Sequence, residues 1–292
     1  MKKQTKVWLV SALALSLGAL GSACSKAPEG DTNKNGGSEA KAKYSGPTGT
    51  VTGVVSFNGT PPAPKKIDSS ADPVCGQKNP NLETEDTVVK DGKLANAFVY
   101  IKDGTTTDGK KVGDFEWDTP TTAVQLDQNG CHYRPHVLGV QTNQKISITN
   151  SDPTTHNIHP TPKQNPEWNQ SQPNGAAPIE KSFARSEILV PVKCNQHPWM
   201  KSYIGVMKTP FFAVSADNGS FTLKGVPAGT YTVAAWHEGG ADGTTKTVQV
   251  NVPANGSATA DFTFEGAAAA SNQQGGLQML PAIEFPMLGR KH

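Results

Sequence analysis

Charged residues make up only 18% of this 292-residue chain, and it has just 4 cysteines and 5 methionines. The sparse charge forms no basic stripe, so the electrostatic footprint of a nucleic-acid binder is missing and no nucleic-acid partner is expected. Beyond the N-terminus no 18-residue apolar stretch occurs, which excludes a further membrane-spanning helix. There is no nucleophile elbow, P-loop or HExxH pattern, and the chain reads as a non-enzyme. Long helix-period runs are also wanting. The apolar stretches are short and cut by Asn, Asp, 29 Gly and 22 Pro, which favours strands and turns and an all-β fold.

The first 23 residues read as an export signal. Lys2, Lys3 and Lys6 precede an apolar core at 7–20, short for a transmembrane helix, and Gly21-Ser22-Ala23 follow. Leu20-Gly21-Ser22-Ala23-Cys24 resembles a bacterial lipobox. It departs from that pattern in having Gly21 three places before the cysteine and Leu20 one place further back. The resemblance implies lipidation of Cys24 and a periplasmic protein anchored in the outer membrane, with Ser25 compatible with such sorting. Cleavage after Ala23 to give a soluble secreted protein is the alternative. Removing the signal takes Lys+Arg from 27 to 24 against 25 Asp+Glu, so +2 becomes −1. Residues 24–47, rich in Lys, Gly, Asn, Ser, Glu and Ala, read as a flexible tether.

The chemistry gathers in Cys194-Asn195-Gln196-His197-Pro198-Trp199-Met200. A thiolate, an imidazole and a thioether spaced C-x2-H-x2-M suit copper better than magnesium, calcium or manganese. A second imidazole must come from elsewhere in the chain. With Cys24 assigned to the lipid and Cys194 to the metal, Cys75 and Cys131 remain in an oxidising compartment. A disulfide between them is expected, two unpaired thiols being the alternative.

Residues 49–57 alternate as a strand and end at Asn58-Gly59, a turn signal. Pro61, Pro62 and Pro64 then bar a sheet interior. Residues 97–102 form a strand and 105–113 a polar loop. Strands at 124–126, 137–140 and 145–149 lead to His156, and 161–180 is irregular. Strands at 188–193 and 203–208 flank the Cys194 loop. Others follow at 211–216, 230–236, 246–252 and 258–264, and 266–292 reads as a largely disordered tail.

Residues 124–208 resemble the cupredoxins, the blue copper electron-transfer proteins. The resemblance is carried by Asn150-Ser-Asp-Pro-Thr-Thr-His156-Asn157 after a strand and by the distant C-x2-H-x2-M loop, whose short spacing is most like amicyanin. It implies a Greek-key β-sandwich holding one type 1 copper through His156, Cys194, His197 and Met200. Asn157 would hold the ligand loop by hydrogen bonds. Redox protein partners would dock at the exposed edge of His197. The flanks resemble a carboxypeptidase-regulatory-like sandwich of the transthyretin or immunoglobulin kind. That likeness is carried by Val51-Thr-Gly-Val-Val-Ser-Phe-Asn-Gly59, by 97–101, by Asp217-Asn-Gly-Ser-Phe-Thr-Leu and by Val226-Pro-Ala-Gly-Thr-Tyr-Thr-Val233. The implied order is signal 1–23, tether 24–47, first half of the outer sandwich 48–112, inserted cupredoxin domain 113–210, second half 211–265 and tail 266–292.

Other soft or titratable residues receive plainer expectations. His159, three residues past His156, faces the opposite side of a strand. His132 and His136 read as surface or turn histidines, His237 as a strand end, Met207 as core and Trp199 as packing beside His197. Three function classes fit: a one-electron copper carrier, a copper-binding or storage module without redox duty, and a carbohydrate- or protein-binding sandwich.

Overall fold

The alternation at 49–57 places Val51 and Val55 inward, both fully buried, on the strand Thr48–Asn58. The structure, a computed structural model, describes residues 41–239 and 243–266. The stretch read as an export signal, Cys24 expected to be lipidated, most of the expected tether and the stretch beyond 266 read as a tail lie outside the described residues.

Thr48–Asn58 pairs antiparallel with Ser220–Pro227 and Lys93–Leu94, and parallel with Ser257–Thr259 and Phe262–Glu265. Opposite it lies an antiparallel sheet ordered Phe212–Val214, Phe98–Thr106, Gly229–His237, Thr244–Val252. Val51, Val55, Val99, Ile101, Phe211, Phe221, Val233 and Phe262 share the core between them. Two stretches far apart in sequence thus close one outer sandwich.

The chain between them builds a second β-sandwich. One sheet runs Gln170–Gln172, His156–Pro160, Glu187–Lys193, Lys201–Met207, Val137–Gln141, the last two strands being parallel. The other runs Ile179–Lys181, Ile146–Asn150, Val124–Gln128, Tyr133–Arg134. Leu126, Tyr133, Ile148, Ile158, Val192, Met200 and Ile204 fill the space between.

The run Phe98-Val99-Tyr100-Ile101 is apolar at every position because both faces of its sheet are covered. Val99 and Ile101 enter the outer core, while Phe98 and Tyr100 enter a third cluster with Val137, Leu189, Met207 and Trp236. Gly139 and Gly205, neighbours across a parallel pair, make the close approach possible. A Cβ on Gly205 would stand 2.4 Å from Phe98, and one on Gly139 would stand 2.5 Å from Phe212.

Some stretches differ from the sequence reading. Residues 41–47, expected in the tether, lie along 115–118, with the Tyr44 and Phe115 rings 5.1 Å apart and Lys43 paired with Asp118. Val112 and Trp117 pack on the outer core, so the second sandwich begins its own packing near Val124 rather than at 113. Segment 59–88 crosses from the outer sandwich to the second one and back, with Val88 O accepting from Ala95 N–H on its return. Its prolines end the first strand, and Cys75 is buried in the core of the second sandwich. There Asp72 accepts from Val74 N–H (2.9 Å) and caps helix α1 (Pro73–Lys78). Six residues give too little periodicity for such a helix to be read from sequence. Among the described residues no helix is long and apolar enough to cross a membrane.

Candidate metal centre

Asn150 draws the loop before His156 tight. Its amide donates to Thr154 O and Gln172 O (both 2.8 Å), and its Oδ1 accepts from Asp152 N–H (3.0 Å). The loop delivers His156, with no exposed surface, to the start of His156–Pro160. Glu187–Lys193 delivers Cys194. Cys194 N–H donates to Met200 O (3.2 Å) and Met200 N–H to His197 O (2.9 Å), which folds the seven-residue loop back on itself. Asn157 Oδ1 accepts from the Cys194 thiol (3.2 Å) and from Asn195 N–H (2.7 Å), so one side chain joins the two loops.

His156, Cys194 and His197 converge. The two Nδ1 atoms are 2.9 Å apart, and His197 Nδ1 lies 3.6 Å from Cys194 Sγ. One donor atom from each residue lies within 4.8 Å of the other two. Met200 is fully buried in the same core cluster as Cys194. The exposed edge expected for His197 is covered instead: the residue is 3% exposed. Asp72 of the 59–88 segment lies against its ring, and Trp199 packs beside it.

Each imidazole is held from behind by a carboxylate. His156 Nε2–H donates to Asp152 Oδ2 (3.0 Å), and His197 Nε2–H donates to Asp72 Oδ2 (2.9 Å). An ionised carboxylate only accepts, which assigns a proton to each Nε2 and turns each Nδ1 inward as the coordinating atom. Asp152 is wholly buried and also accepts from Gly130 N–H and Cys131 N–H (both 2.7 Å). Asp72 accepts from Thr154 Oγ1 (2.9 Å) as well. A disulfide joins Cys75 to Cys131 (S–S 2.06 Å) on this side of the rings. Cys75 lies with Asp72 and His197, and Cys131 with Asp152 and His156, each set of donor atoms within 4.8 Å.

The charges follow from these contacts. Burial pushes the Cys194 thiol up, but hydrogen bonds with His156 and His197 outweigh it and bring its pKa down to about 6. Burial pushes His156 down, and Asp152 and Cys194 more than reverse this, raising it to about 9. His197 is raised too, with Cys194 and Asp72 opposing burial. Both carboxylates sit below their usual range, because the imidazole hydrogen bonds outweigh burial. Copper requires the thiolate and two unprotonated Nδ1 atoms, so its binding releases whatever protons these atoms hold. Two imidazole nitrogens, a thiolate and a nearby buried thioether fit copper. Neither carboxylate faces inward, so a hard cation that needs oxygen ligands does not fit.

The remaining histidines among the described residues lie elsewhere. His159 is bound to Asn195 Oδ1 (2.9 Å) and Glu167 Oε1 (2.6 Å). His132 and His136 are not at the surface: each is 5% exposed. The outer elements that cover them bring Glu85 to His132 (3.8 Å) and Glu238 to His136. His237 is buried at the end of Gly229–His237, and its Nδ1 accepts from Gly239 N–H (3.1 Å). Trp199 packs, with its ring 5.1 Å from that of His197 and its Nε1–H donating to Cys131 O (3.2 Å). The two carboxylates escaped the sequence reading. Asp152 had a faint signal, four residues before His156 in an Asn- and Pro-bearing loop. Asp72 had none, since 125 residues separate it from His197.

A family model described as polysaccharide lyase family 4, domain II, matches residues 185–260. That stretch takes in the Cys194 loop and most of the second half of the outer sandwich, and the description is not the regulatory-like one expected from the flanks. No curated protein matches the chain. Similar solved structures include a copper-containing nitrite reductase from Thermus scotoductus SA-01, at 20% identity and TM-score 0.27, covering 29% of this chain and only 22% of that one. A purple cupredoxin from Nitrosopumilus maritimus is similar at 20% identity and TM-score 0.25, covering 28% of this chain and 98% of that one. An oxidized mutant of amicyanin is similar at 13% identity and TM-score 0.27, covering 37% and 97%.

Proposed function

We propose that the chain holds one copper ion between His156, Cys194, His197 and Met200 and carries single electrons. The observation behind this reading is the convergence of two imidazole Nδ1 atoms and a depressed thiol, with each imidazole backed by a carboxylate. Bound copper supplies a one-electron couple. The chain's own contribution is to keep the donors still. Strands deliver Cys194 and His156, Asn157 ties their loops, and Asp72 and Asp152 orient the rings. A frame that resists rearrangement between oxidation states keeps electron exchange fast. On this reading the protein works in the periplasm, anchored at Cys24, and meets a redox protein partner near His197 through the residues that cover it. An absorption spectrum with metal analysis of the mature protein tests the proposal. One copper per chain and an intense thiolate-to-copper band, lost in Cys194→Ser, are expected. A colourless, copper-free protein after reconstitution would overturn it.

The cover over His197 favours a second reading, a copper-holding module without redox duty, because a ligand only 3% exposed favours retention. Voltammetry separates the two. A reversible couple supports the carrier, and its absence in a copper-loaded protein supports the holder.

A further inference from the structure

We propose that Asp72 is a positioning residue through which the 59–88 segment seals the copper centre and sets its reduction potential. This inference rests on the copper reading. Asp72 comes from outside the second sandwich, yet it makes the contact that completes the site. Its Oδ2 accepts from His197 Nε2–H (2.9 Å) and from Thr154 Oγ1 (2.9 Å) in the His156 loop, while its Oδ1 caps Val74 N–H (2.9 Å). One carboxylate therefore spans both ligand loops and starts helix α1, whose Cys75 lies with Asp72 and His197. Three residues on, Cys75 is bonded to Cys131, whose N–H is held by Asp152 behind the other imidazole. The two ligand–carboxylate pairs are thus fastened to each other on the side away from the metal. The Asp72 side chain is 18% exposed against 4% for His197, so the seal is about one side chain deep.

Three consequences follow. The Nε2–H···carboxylate bond keeps His197 in the tautomer that presents Nδ1. Copper cannot leave past the His197 edge while Asp72 stays in place. A negative charge beside a ligand favours the more positive, oxidised ion and so lowers the reduction potential.

Asp72→Asn and Asp72→Ala separate these effects. Asn keeps an oxygen for Nε2–H but removes the charge, whereas Ala removes both. The reduction potential should rise in both variants. Copper loss to a competing chelator should quicken by about 10- to 100-fold in Asp72→Ala, the usual scale for removing a ligand's partner, and by less in Asp72→Asn. In the metal-free protein, long-range proton–nitrogen NMR should show a His197 Nε2–H slow to exchange with solvent, lost in Asp72→Ala. An unchanged potential and unchanged chelator rate in a folded Asp72→Ala protein would overturn the proposal. So would an unprotected His197 ring in the metal-free wild type, whether or not the protein binds copper. A wild type that takes up no copper sinks the copper reading alone, since the NMR experiment still reports on the Asp72–His197 pair.

Discussion

Cys75 and Cys131, 56 residues apart in sequence, are joined by a disulfide that fastens helix α1 to the turn held by Asp152. Closing a loop of that length removes roughly 4 kcal/mol of chain entropy from the unfolded state, and measured effects usually fall at 2–4. The Cys75→Ser/Cys131→Ser double variant should therefore lose roughly 2–4 kcal/mol of unfolding free energy in urea, measured without metal. Its copper should also leave faster, because Asp72 is fixed by the same segment. An unchanged urea midpoint would mean that the bridge does not stabilise the fold in solution.

Asn157 joins the two ligand loops through a single oxygen, 3.2 Å from the Cys194 sulfur and 2.7 Å from Asn195 N. Asn157→Ala leaves both donors without that acceptor in a largely buried place. The cost should be about 1–3 kcal/mol. If copper is bound, the thiolate-to-copper band should also shift, because the loop that carries the sulfur loses its tie through Asn195 N–H. A band and a stability both equal to wild type would show that the loops hold each other by other contacts.

Different parts of the centre were legible to different degrees, for physical reasons. Cys194, His197 and Met200 lie within seven residues, and a local turn brings them together. His156 follows a strand and an Asn that tightens its loop, so it too announces itself locally. The strands were legible because burial alternates with their two-residue period, as at Val51 and Val55. Phe98-Val99-Tyr100-Ile101 shows no alternation, and only the second sandwich lying against it explains why. Asp72 was invisible because its partner is 125 residues away and its own segment, rich in proline, has no period to read. His132 and His136 looked like surface residues because turn-forming neighbours describe only the local chain. Their burial comes from segments distant in sequence, which also bring Glu85 to His132 and Glu238 to His136.

Gly205 marks where the two sandwiches press together. A methyl group there would stand 2.4 Å from the Phe98 ring, which is itself fully buried. Gly205→Ala should destabilise the protein by about 1–3 kcal/mol through overpacking. Phe98→Leu relieves the clash but opens space when made alone. The double variant should then be more stable than the sum of the single losses implies, with a coupling of about 0.5–3 kcal/mol in urea unfolding. Strict additivity would show that Phe98 and Gly205 do not share this contact.

His237 gives the fold an acid-sensitive point away from the metal. Burial pushes its pKa down to about 4, well below the ordinary 6.5, against a smaller upward pull from Glu238. The hydrogen bond from Gly239 N–H to its Nδ1 (3.1 Å) also requires an unprotonated nitrogen there. The unfolded chain thus binds a proton more readily than the folded one between these two values. Stability from this group is complete above about pH 6.5 and drains away as the pH falls towards about 4, by roughly 3 kcal/mol in all. His237→Gln keeps a neutral acceptor for Gly239 N–H and has nothing to protonate. Urea unfolding at about pH 7.5 and about pH 4.5 should show a smaller acid loss in His237→Gln than in wild type, the difference being this residue's share. Equal losses in the two proteins would mean that His237 is protonated in the fold as easily as in the open chain.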